Sequence, residues 1–245
     1  MPTLPLSFGD VAAARRELDV DLTDPRVVAF AEQFGVDVSQ IDDELRAGFL
    51  DATGRSAFTA VQAIYVDDFW PRVLAVLDVA EPPAAAPTAE LWPALEEFMR
   101  EVARLDALDP VLTELIRLRG ARQHQCRVCR SRRSVAALDA GADDATFAAV
   151  DAYADSDLPP ATRAALALTD AMIWTPYAVP SGVIDEVRAH LAPEQVVEVV
   201  LDVARNATNK IAVALGADAA SVTEGVELFS TDADGNLTVV DTGPG

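Results

Sequence analysis

Cys126 and Cys129 are the only two cysteines of the chain, and they stand three positions apart inside ELIRLRGARQHQCRVCRSRRSVAALDAG, residues 114–141. In a reducing compartment a Cys-x-x-Cys pair serves either reversible disulfide formation or metal binding. A zinc site wants four ligands, and beyond the pair the sequence supplies only His124, Glu114 and the distant His190. Redox chemistry needs no more than the pair: one thiolate attacks an oxidant or a disulfide, and the other resolves the product. If Cys126 opens a helix, unpaired backbone N–H groups and the helix dipole favour its thiolate. The bland alternative is two small packing residues that happen to be neighbours.

The charge around the pair is unusual. Arg117, Arg119, Arg122, Arg127, Arg130, Arg132 and Arg133 stand against the single acid Glu114, so this segment carries +6 while the whole chain carries −21 and the remainder −27. One reading is a solvated face whose arginines balance acidic neighbours across a subunit contact. The other is a local positive potential that lowers a thiol pKa. Glu114 itself has an ordinary partner in Arg117 at i+3.

The elements that must position these groups are helical. Half of the 245 residues are apolar, aromatics make up 6%, and β-branched residues are scattered rather than alternating. Thr23, Asp24 and Pro25 mark a helix start, with apolar residues from Val27 to Phe34 before Gly35. Helices are expected next over about 41–50 and from Ala57, where Pro71 begins a turn or kinks the helix. Residues 80–89, AEPPAAAPTA, carry three prolines without periodicity and read as a linker. Two apolar stripes follow, Leu91 to Val102 and Leu112 to Leu118, separated by LDALDP. Gly141 ends a helix through Val135 to Leu138, and Asp143 and Asp144 cap the next. Further helices are expected at about 160–174, 182–190 and 193–215, with Gly216 as the stop and His190 as a helix-terminal cation. Asp234 and Gly235 between short apolar runs indicate a C-terminal hairpin or arm. Asp232, Asp234 and Asn236 imitate the start of a calcium loop, but Gly243 stands where the bidentate Glu belongs, so they read as a turn.

Composition narrows the function classes. The net charge of −21 argues against nucleic-acid and anionic-membrane partners. The opening MPTLPLSFGD has neither a basic nor an apolar leader region, and no apolar run reaches the roughly 18 residues of a spanning helix. The expectation is a soluble cytoplasmic protein whose cysteines are not a secreted disulfide framework. No dinucleotide or phosphate-binding loop points to a cofactor.

Glu114, eleven intervening residues and then Cys126-x-x-Cys129 resemble the signature of the carboxymuconolactone decarboxylase and alkylhydroperoxidase D-like family. The run ALALTDAMIWTPYAVPSGVIDEVRAHLAPEQVVEVVLDVARNATNKIAVALGA resembles its later helices, including Asn206, Asn209, Lys210, Leu215 and Gly216, so the likeness covers roughly 90–217. The resemblance implies an all-α, alkylhydroperoxidase D-like helical bundle. Residues 1–80 would form an N-terminal helical unit and possible diverged repeat, 81–89 a linker, 90–217 the core, and 218–245 a hairpin or arm. It also implies a redox disulfide, with Cys129 attacking peroxide, Cys126 resolving it and Glu114 accepting a proton, in a homo-oligomer.

The sequence departs from that family at two positions. Arg133 stands where the relay histidine is found, four residues after the second cysteine, and Val128 where some relatives carry another. Arginine stays protonated and does not shuttle protons near neutral pH. His124, two residues before Cys126, is the candidate replacement, while Arg122 and Arg133 are candidates to hold an anion or thiolate. The function expected is a thiol-dependent oxidoreductase acting on a peroxide or disulfide with an external thiol reductant. The alternatives are a non-redox, decarboxylase-like enzyme with an arginine-lined anion site, and a non-catalytic helical oligomer.

Overall fold

A computed structural model describes residues 4–80 and 89–240. The N-terminal part forms α1 (Leu6–Glu17), α2 (Pro25–Asp37), α3 (Asp43–Thr53) and α4 (Ala57–Leu77). It is followed by α5 (Leu91–Ala103), α6 (Pro110–Gln123), α7 (Arg127–Arg130), β1 (Arg132–Ser134), α8 (Val135–Asp139) and α9 (Asp144–Ala149). The last part contains α10 (Pro160–Trp174), α11 (Ser181–His190), α12 (Pro193–Ala207), α13 (Lys210–Ala214), β2 (Glu227–Thr231) and β3 (Leu237–Val239). The fold is therefore all-helical with a short C-terminal arm. Most of the linker expected at 81–89 lies outside the described residues. Among the described residues, no helix is long and apolar enough to cross a membrane.

Local signals start most of these helices. Pro25, Pro110, Pro160 and Pro193 each open one, where a missing N–H costs nothing. Asp24, Asp42, Asp109 and Asp143 accept from the first free amides of α2, α3, α6 and α9. Gly141 and Gly216 end α8 and α13 at positive φ, as expected. Pro71 ends nothing: α4 runs through it to Leu77. The single helix expected over 193–215 is broken at Thr208 and Asn209. The Thr208 hydroxyl and the Asn209 amide donate to the carbonyls of Arg205 (2.7 Å) and Asn206 (3.0 Å), competing with the ladder.

One continuous apolar core runs from Phe8 on α1 to Ala214 on α13. Phe8 stacks on Trp70 of α4 at 4.8 Å, and Trp70 packs on Phe98 of α5. The Tyr65 hydroxyl donates to the Ala204 carbonyl of α12 at 2.6 Å. A buried charge network crosses the same region. Lys210 Nζ lies 2.7 Å and Arg72 Nη2 2.5 Å from the Asp68 carboxylate, and Arg72 also donates to the carbonyls of Gly35 and Ile173. The network thereby joins α2 and α4 to α10 and α13.

The arm does more than form a hairpin. β2 and β3 pair antiparallel, with Phe229 opposite Val239, while β2 also pairs parallel with β1, placing Arg132 opposite Glu227 and Ser134 opposite Phe229. At the hairpin tip, Asp232 Oδ1 accepts from the amides of Asp234 and Asn236, the turn read from the sequence. Gly235 has φ +84°, and a Cβ there would lie 2.3 Å from the Arg100 carbonyl oxygen, so only glycine lets the tip sit on the end of α5. Arg104 clasps it from the other side by donating to the Asp234 carbonyl at 2.8 Å.

Candidate functional site

The cysteine segment begins where α6 ends. The Gln125 amide donates to the Arg122 carbonyl (3.2 Å) and the Cys126 amide to the Ala121 carbonyl (3.0 Å), the bond pattern of a Schellman stop. Gln125 occupies the left-handed position at φ 54° that glycine usually takes. It and Asp78 are the non-glycine residues with positive φ among the described residues, and such strain tends to gather at functional sites. The stop turns the chain so that Cys126 becomes the N-cap of α7, with its sulfur accepting from the Cys129 amide at 3.3 Å. The other free amides of α7 go to Asp218, whose carboxylate accepts from Arg127 N (2.8 Å) and whose carbonyl accepts from Val128 N (3.0 Å). Burial pulls the Asp218 carboxyl up, but its bonds to Arg127 outweigh this and hold it below the usual carboxylate range. The two sulfurs are joined as a disulfide with Cα atoms 5.3 Å apart.

The sulfurs are not equivalent. Both cysteines are nearly buried, but Cys129 lines a cleft of about 290 Å³ and Cys126 does not. Its walls are Glu114 and Arg117 of α6, the polar face of α12, Arg132 of β1, and Phe229, Thr231 and Leu237 of the arm. Val102, Leu105 and Leu108 give it an apolar end.

Glu114 is 2% exposed, and its oxygens accept from Arg117 at 2.6 and 2.7 Å and from the Ser134 amide at 3.3 Å. Arg117 donates onward to the carbonyls of Cys129 and Arg132, both at 2.8 Å. Glu114 thus acts on the cysteine turn through a guanidinium strut. The i+3 pairing legible in the sequence is present, and burial makes it structural.

His124 is placed elsewhere. It does not line the cleft; it packs edge-on against Phe69 of α4 and its Nε2 has no partner among the described residues. Burial, with the nearby Lys210 and Arg72 cations, holds its pKa well below the ordinary histidine value, so it is neutral. Arg122 and Arg133 do not line the cleft; they line a separate groove with Arg127, Arg130 and Glu224. Arg122 pairs with Asp151 and donates to the Phe147 carbonyl at 2.9 Å. Arg133 lies 5.3 Å from the centre of the Phe147 ring and donates to the carbonyls of Arg130 and Arg132.

The positive field expected from the arginine count is largely cancelled. Arg117, Arg119, Arg122, Arg127 and Arg132 pair with Glu114, Asp170, Asp151, Asp218 and Glu227. The acidic neighbours are supplied within the chain itself. Lys210 is also away from the cleft, 2.7 Å from Asp68 and 4.3 Å from the Phe34 ring centre, with burial pulling it down to about 8. His190 closes α11 beside Glu186 at 3.3 Å.

Sequence reasoning did not identify the polar face of α12 as part of a site, although Asn206 and Asn209 entered the resemblance. Glu198, Asp202, Arg205, Asn206 and Asn209 recur at helical spacing along the end of α12 and beyond it, and all face Cys129's cleft. That polar stripe inside an otherwise apolar run was the available signal. Glu198 is 3% exposed and accepts from the Ala107 amide at 2.7 Å; burial raises its pKa. Asp202 is 2% exposed, its Oδ2 has no partner among the described residues, and burial pushes it up to about 7, opposed by Arg205 and reinforced by Glu198. Among the described residues, no group of three or more His, Cys, Asp or Glu side chains is arranged to hold a metal.

No family model matches the chain, and no solved structure matches it. It is similar to two proteins of Mycobacterium tuberculosis, uncharacterized protein MT2376 of strain CDC 1551 / Oshkosh and uncharacterized protein Rv2313c of strain ATCC 25618 / H37Rv. Each is 43% identical to it over 222 residues, which span 85% of this chain and 78% of the relative.

Proposed function

We propose that this chain, which belongs to one family with the Mycobacterium tuberculosis proteins MT2376 and Rv2313c, is a thiol-dependent oxidoreductase that cycles Cys126 and Cys129 between dithiol and disulfide. The observation that carries the reading is the asymmetry of the pair: two sulfurs within bonding reach, of which Cys129 alone lines a cleft. The resemblance to alkylhydroperoxidase D-like proteins supplies the reaction class.

In this reading the Cys129 thiolate attacks the terminal oxygen of a hydroperoxide, forming an S–O bond as the O–O bond breaks, and the departing alkoxide takes up a proton to become the alcohol. Cys126 then attacks the Cys129 sulfenic acid, and its thiol proton departs with the hydroxyl as water. An external dithiol reduces the disulfide and returns the pair to its starting state. Glu114 and Arg117 hold the turn through the Cys129 carbonyl. A non-redox, decarboxylase-like use of the cleft would rest instead on Arg117, Arg132 and Arg205, whose side chains also line it.

The test is the pH dependence of thiol alkylation, with mass spectrometry after stoichiometric cumene hydroperoxide, on the wild type, Cys129→Ser and Cys126→Ser. Reaction well below the ordinary thiol pKa of about 8.5, a disulfide in the wild type and a trapped sulfenic acid only in Cys126→Ser are expected. Two slow thiols with ordinary titration and no disulfide would sink the reading.

A further inference from the structure

We propose that Asp202 is the catalytic carboxyl of the Cys129 cleft, donating a proton to the leaving alkoxide and thereby replacing the imidazole that is absent at Arg133. This inference rests on the thiol-dependent reading of the same cleft.

Four carboxyl groups line the cleft: Asp106 is exposed at its edge, and of the three buried ones two are engaged. Glu114 is held by Arg117 and the Ser134 amide, and Glu198 accepts from the Ala107 amide. Asp202 lines the same space, is 2% exposed, and its buried Oδ2 has no partner among the described residues. Buried polar atoms nearly always find a partner, so an unpartnered carboxyl on a residue that lines a cleft marks a group free to hydrogen-bond a bound molecule. The chain's two imidazoles are not available: His124 is packed against Phe69, and His190 sits at the end of α11, paired with Glu186. The cysteine that lines this space is Cys129.

The charges around Asp202 fit the role. Arg205 and Glu198 share its helix, Glu114 and Arg117 face it from α6, Arg132 from β1 and Asp106 from the loop before α6. Burial raises its pKa to about 7, so the carboxyl carries a proton near neutral pH and can release it there. In the forward step the thiolate's electron pair forms the S–O bond, the peroxide bond breaks, and the alkoxide takes the Asp202 proton to leave as an alcohol. The carboxylate regains that proton from the external dithiol when the disulfide is reduced, so the cycle closes.

The test compares wild type with Asp202→Asn in two reactions of the reduced protein. One is oxidation by cumene hydroperoxide, and the other is alkylation by iodoacetamide, whose iodide leaves without a proton. The variant should oxidise about 100-fold more slowly and lose the pH dependence near 7, while alkylation is unchanged. Equal oxidation rates and profiles in the two proteins would overturn the role of Asp202 and leave the thiol reading standing. Failure of the wild type to be oxidised at all would remove the thiol reading and this inference with it. A readout on the wild type alone covers a variant that does not fold: carbon-13 NMR of aspartate-labelled protein should show the Asp202 carboxyl titrating near 7 and shifting when cumyl alcohol is added. A carboxyl that titrates at the usual aspartate pKa, or ignores the alcohol, would overturn the proposal.

Discussion

Arg132 and Glu227 face each other across a parallel strand pair, with Nε of the one 2.6 Å from Oε2 of the other. The contact joins the segment just after Cys129 to the C-terminal arm, so the arm that closes one side of the cleft is also tied to the cysteine turn. Both side chains are largely shielded, so the pair is worth more than a fully exposed one. Replacing Glu227 with Ala should free the arm at a cost of about 1 kcal/mol, raising Cys129 alkylation in the reduced protein roughly fivefold. Quantitative iodoacetamide labelling resolved by peptide mass spectrometry measures it. An unchanged rate would mean that the arm does not control access to the cleft.

Glu114 and Arg117 form a pair of which one side chain is 1% and the other 11% exposed. Breaking a buried pair from one side leaves an uncompensated charge, so Glu114→Gln should destabilise the fold by about 3–5 kcal/mol in urea unfolding. Removing both charges in Glu114→Gln with Arg117→Met should cost less than the sum of the single changes. Additive losses would show that the pair is not a unit.

Asp202 carries a stability cost with a definite pH sign. Its folded pKa of about 7 lies above the unfolded value, so its contribution is present at acid pH and lost as pH rises from about 4 through 7. Asp202→Asn should therefore match the wild type near pH 4 and exceed it at pH 8 by about 1–4 kcal/mol. Thermal unfolding across that range is the measurement, and a pH-independent difference would contradict burial of the charge.

His124 carries the opposite sign. Its depressed folded pKa means that stability is present above the unfolded value of about 6.5 and falls as pH drops below it. His124→Gln should flatten this acid slope, by up to about 1.4 kcal/mol for each pH unit that the wild type loses. Midpoints measured between pH 7.5 and 5 check it, with parallel curves counting against a buried neutral imidazole.

Features that depend on a few adjacent residues were legible in the sequence. Asp24 and Asp143 cap helices because a short side chain reaches amides two or three positions on, and Gly141 and Gly216 stop them because φ is a property of one residue. The closeness of Cys126 and Cys129 and the hairpin turn at Asp232 to Asn236 are local in the same way. What required tertiary structure was every effect of burial and pairing. The arginine cluster reads as a positive field until Asp170, Asp218 and Glu227 arrive from 51, 91 and 95 residues away. His124 reads as a neighbour of Cys126 until α4 closes over it. Asp202 is one acid of a polar helical stripe, and only tertiary packing removes it from water and leaves its Oδ2 without a partner among the described residues. Solvation and charge pairing depend on which distant segments share a space, and no spacing along the chain encodes that directly.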